Sequence, residues 1–85
     1  MKHATDDTLD RISDVLDAIA PHVPPLKEKK RGTYYYKSAA FLHFHDDPAG
    51  IFADLKVDGD WVRYCVTKPE EKAVLLAHIQ TLLGK

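Results

Sequence analysis

A chain of 85 residues has room for one domain and one core, which we place over residues 1–85, and a core this small leaves stability marginal. The 45% apolar and 29% charged composition excludes the low-hydrophobicity, high-charge signature of disorder. A formal net charge of −1 excludes a global field for polyanions, so any such partner requires a local patch.

The lone Cys65 precludes an intrachain disulfide and points to a reducing, cytoplasmic setting. Met1-Lys2-His3 leads into aspartates with no apolar stretch, so export is not expected. The longest apolar run, residues 73–77, is far short of the roughly 20 residues a membrane helix needs.

Leu9, Ile12, Leu16 and Ile19 recur at helical spacing, with Asp7, Asp10, Asp14 and Asp17 on the opposite side, which predicts an amphipathic helix over residues 5–20 with an acidic outer face. Thr5 suits its N-cap, Asp6 and Asp7 suit the positive end of its dipole, and Pro21 disfavours its continuation. Residues 21–32, with Pro24-Pro25 and a polar Lys-Glu-Lys-Lys-Arg-Gly run, read as a connector.

Four strand-like stretches follow, at residues 33–36, 39–45, 51–57 and 61–66, rich in aromatic and β-branched side chains. Asp58-Gly59 is the dipeptide that best accepts a type I′ hairpin turn. It sets Asp54 opposite Arg63 and Lys56 opposite Trp61, and gathers Ile51, Ala53, Leu55, Val62, Tyr64 and Val66 on one face. A Pro-containing turn over residues 46–50 aligns Leu42 and Phe44 with that face. Thr67-Lys68-Pro69-Glu70 fits a capping box, and Leu75, Leu76, Ile79, Leu82 and Leu83 give the stripe of a second helix ending at Gly84. The expected fold is α+β: helix, four-stranded antiparallel meander, helix, in two layers with both helices on one sheet face.

That leaves Tyr34, Tyr36, Phe41, Phe52 and Trp61, with Arg63, on the second sheet face without an intrachain cover. A large exposed aromatic patch with arginine marks an interaction surface. The first functional expectation is therefore a non-enzymatic module that associates through this face, as a homodimer or with another protein. The second is nucleic-acid binding, because Lys27, Lys29, Lys30, Arg31 and Lys37 stand beside Tyr34, Tyr35 and Tyr36, offering charge for phosphates and rings for bases.

The third is divalent-metal binding. His43 and His45 project from one side of a strand about 7 Å apart, with Asp54 on the next strand, and two imidazoles and a carboxylate suit zinc. Cys65, Ser13 and Ser38 have no histidine or acid at a recognisable motif spacing, and no glycine-rich phosphate loop is present. Neither catalysis nor a cofactor is expected.

From Gly32-Thr33-Tyr34-Tyr35-Tyr36-Lys37-Ser38-Ala39-Ala40-Phe41-Leu42-His43-Phe44-His45 through Phe52-Ala53-Asp54-Leu55-Lys56, the chain resembles small uncharacterised bacterial proteins and, more distantly, the MmcQ/YjbR-like family. The likeness spans about half the chain; it departs in being short and in lacking a glycine before Lys37. The resemblance implies DNA binding and carries over no functional residues.

Overall fold

The computed structural model describes residues 2–84. Its helical start is built as the side-chain pattern requires. Thr5 caps α1 (Asp6–Arg11), its hydroxyl accepting from the Thr8 N–H, and Leu9, Ile12, Val15 and Ile19 are buried. The helix is not continuous over residues 5–20, however. Ile12 leaves helical geometry (φ −119°, ψ 30°) and α2 (Ser13–Ile19) resumes beyond it, ending in a 3-10 turn at Ala20–His22. The acidic face remains exposed.

The sheet has two strands more than the expected meander. β1 (Lys2–His3) precedes α1, and the presumed connector contains β2 (Leu26–Lys30). Only Leu26 of β2 is buried. A lysine-rich edge strand reads as a loop in sequence, yet charged side chains are what keep an exposed edge from pairing with other chains. β3 (Thr33–Tyr36), β4 (Ala39–Asp47), β5 (Gly50–Val57) and β6 (Asp60–Cys65) complete an antiparallel sheet in the order β2-β3-β4-β5-β6, with β1 pairing β4 beyond the end of β3.

The register derived from Asp58-Gly59 is the one observed, from Phe52 opposite Cys65 to Val57 opposite Asp60. Val62 lies on the expected face but stays 38% exposed, because β6 is an edge strand. α3 (Pro69–Leu82) starts one residue later than the sequence suggested. Lys68 is its N-cap, and the Glu71 carboxylate, not that of Glu70, accepts from the backbone N–H groups of Lys68 (2.9 Å) and Thr67 (3.1 Å).

The α1–α2 and α3 segments cover one sheet face, where Leu42, Phe44, Ala53, Leu55, Leu75 and Ile79 form a single core with the α1–α2 stripe. Lys72 of α3 reaches the Asp14 carboxylate of α2. At the β2–β3 turn, Gly32 has φ +80° and sits where a Cβ would meet Leu9 of α1 at 2.7 Å. That close approach lets Arg31 bond Asp6 and Asp10. No described helix is long and apolar enough to cross a membrane.

The β3–β4 hairpin turns through Lys37 (φ 53°) and Ser38 (φ 68°). Two successive left-handed L-residues of this kind are costly, and Asn-Gly accepts the same turn with less strain. The double substitution Lys37→Asn/Ser38→Gly is expected to raise the urea-derived unfolding free energy by about 1 kcal/mol; a loss of stability would show that the turn is held by side-chain contacts instead.

Candidate binding face of the sheet

Which rings reach the uncovered face is decided by one irregularity. Tyr34 pairs with Leu42, but Tyr35 pairs with Ala40, so Phe41 is an extra residue on β4. A bulge of this kind reverses the alternation of side chains beyond it. Phe41 therefore turns into the core, 5% exposed, with its ring 5.6 Å from that of Tyr36. Tyr34 is 2% exposed, and Tyr36 packs against the same core. Three of the rings assigned to the open face from strict alternation thus belong to the covered one, and Tyr35 takes their place.

Phe52, Trp61 and Arg63 are on the open face as expected. Phe52 is half-buried and Trp61 is 43% exposed. The Lys56 ammonium stands 4.6 Å from the centroid of the Trp61 ring, and the His43 ring centroid lies 4.7 Å from that of Trp61. Across the sheet, Lys29 stands over Tyr35 at 5.0 Å. Two shallow grooves flank that tyrosine. One is lined by Lys27, Lys29, Lys37 and Ser38, the other by His3, Lys30, Thr33 and His43.

Of the basic residues singled out in sequence, Lys27, Lys29 and Lys30 therefore gather around Tyr35, while the Lys37 ammonium stands 5.2 Å from the centroid of the Tyr36 ring. Arg31 does not: its guanidinium is bound to Asp6 and Asp10 on the helical layer. Lys56, outside the basic run of residues 27–37, joins the face from β5; its pairing opposite Trp61 is the signal in the sequence.

The middle of the face holds the histidine cluster. His43 is the register partner of Asp54, and His43, His45 and Asp54 bring one ligand-type atom each within 4.8 Å of one another. Asp54 is only 8% exposed. It accepts from Arg63 Nε (2.9 Å) and from a second guanidinium nitrogen (3.0 Å), the bidentate geometry that makes such pairs strong. These hydrogen bonds hold the Asp54 carboxyl below its usual range despite its burial. Burial, and after it His45, pushes the His43 imidazole down, so its neutral form is favoured. At one corner, desolvation and then Glu71 push the Cys65 thiol up, which favours its protonated form.

No protein-family model, curated protein or solved structure matches the chain.

A carboxylate depressed in the fold contributes stability above its unfolded pKa, about 3.9, and that contribution disappears as pH falls through the folded value. In metal-free buffer the protein is expected to lose stability below about pH 4 more steeply than the Asp54→Asn variant, as read by urea unfolding at several pH values. Parallel pH profiles for the two proteins would mean that the Arg63 pair contributes no acid sensitivity.

Proposed function

We propose that this chain is a non-enzymatic module that binds single-stranded nucleic acid across the open face of its sheet. The observation that carries the reading is the separation of charge between the two layers. Asp6, Asp7, Asp10, Asp14 and Asp17 all lie on the helical layer, where Arg31 and Lys72 pair with them. Lys27, Lys29, Lys30, Lys56 and Arg63 lie on the open face around Tyr35, His43 and Trp61, with the Asp54 carboxylate in their midst and Asp47 of β4 also near Arg63. A net charge of −1 thus conceals a cationic surface.

Lysines neutralise phosphates and exposed rings stack on bases without reading sequence, which suits a single strand better than a duplex whose bases are already stacked. The DNA binding implied by the resemblance to the MmcQ/YjbR-like family points the same way. Association of two copies through this face is the competing reading. A two-fold interface sets a patch against itself, so each cationic face would meet another, and like charges oppose that pairing.

Fluorescence anisotropy with labelled single-stranded DNA and RNA tests the proposal. Single-strand binding falls with salt by about 0.7 in log–log slope for each phosphate contact, so four lysine contacts predict a slope near −3 between about 50 and 200 mM salt. Trp61→Ala is expected to weaken binding about tenfold through loss of a stacked base. Absence of saturable binding to either strand type at about 50 mM salt overturns the proposal. So does a concentration-dependent dimer that Trp61→Ala dissociates in a protein that ignores nucleic acid.

A further inference from the structure

The histidine cluster holds more unmet bonding capacity than a phosphate-binding face requires. His43 and His45 lie two residues apart on β4, with ring centroids 4.7 Å apart and planes at 82°. The buried His43 Nδ1 and His45 Nε2 have no hydrogen-bond partner. His45 Nε2 lies 3.0 Å from Asp54 Oδ2, but without hydrogen-bond alignment. A buried polar atom without a hydrogen bond is unfavourable, and here two occur on neighbouring rings beside a carboxylate.

In a tetrahedral zinc site with bonds of about 2.0–2.1 Å, neighbouring ligand atoms are about 3.3 Å apart. The His45–Asp54 separation is already close to that length, and the widest separation in the trio, within 4.8 Å, closes with modest side-chain rotation. A third imidazole stands next to them. β1 pairs His3 directly with His45, and their ring centroids are 5.3 Å apart. His3 is exposed and can turn inward.

We propose that His43, His45 and Asp54 bind one divalent transition-metal ion of the zinc class, with His3 of β1 as the fourth ligand. Imidazoles with one carboxylate select zinc, copper or nickel over magnesium and calcium, which take oxygen ligands. Arg63 fits this arrangement. Its Nε bond to Asp54 Oδ1 orients the carboxylate while Oδ2 faces the ion, the outer-partner arrangement that metal-bound carboxylates usually have. The ion displaces the second guanidinium bond, to Oδ2.

The site needs no nucleic acid, so its test is run without any. Zinc is titrated calorimetrically into the untagged, chelator-treated full chain, and cobalt(II) is used as a spectroscopic probe of the same site. Expected are one equivalent of zinc, the intense visible absorption of tetrahedral cobalt, and a thermal midpoint that rises with zinc concentration. Affinity should fall about 100-fold or more in His43→Gln and His45→Gln and about tenfold in His3→Gln, and be unchanged in His22→Gln, whose ring is elsewhere.

The cobalt spectrum of the unsubstituted protein is decisive even where a variant folds poorly. A weak octahedral spectrum like that of the aqueous ion, or no zinc uptake, overturns the proposal. Loss of affinity in His22→Gln but not in His45→Gln does the same. Full affinity in His3→Gln overturns the assignment of the fourth ligand.

Discussion

The extra residue that β4 carries opposite the Tyr34–Tyr35 step determines what each side of the sheet presents. By turning Phe41 inward it adds another large ring to the core beside Tyr34, Tyr36 and Phe44. The same step leaves Tyr35 outside among the lysines of β2. A core sufficient for a small domain and an outer face with few apolar side chains thus have a common origin in the local geometry of one strand.

The second consequence concerns charge. The helices cover one face, and their acidic side chains meet Arg31 and Lys72 there. Lys27, Lys29 and Lys30 are carried by an edge strand and Lys56 by β5, outside that layer. Lysine at a sheet edge already has a structural role in preventing strand addition, so the cations of β2 serve the fold whether or not a phosphate ever meets them. Lys56 is different: it lies on β5, inside the sheet, and its ammonium is held on the Trp61 ring. A stacked cation and indole, with a histidine ring in contact with the same indole, favour the surface as a binding face over a merely solvated one.

Where a short-range rule applied, the sequence was informative. Asp58-Gly59 admits one hairpin geometry, and from it the whole β5–β6 register followed, including the Asp54–Arg63 pair. Strand alternation was enough to bring His43, His45 and Asp54 together, because no irregularity intervenes between them. It failed at Phe41, since nothing in Ala39-Ala40-Phe41-Leu42 signals a bulge; the step is set by how β3 docks on β4. β2 was hidden because its polar side chains mimic a loop, and β1 because two residues carry no period. With β1 went the position of His3, and with the β2–β3 hairpin went the fate of Arg31, whose partners are more than twenty residues away. The break at Ile12 is likewise absent from the helical pattern, which continues through it.

On the proposed function, the open sheet face, and not the acidic helical layer, is the surface that meets a polyanion. Amide and indole chemical-shift mapping with a short single-stranded oligonucleotide tests it residue by residue. Shifts are expected to concentrate at Tyr35, His43, Lys56 and the Trp61 indole while Asp10, Asp14 and Asp17 stay in place. Shifts centred on α1 and α2, or none anywhere at saturating oligonucleotide, would contradict it.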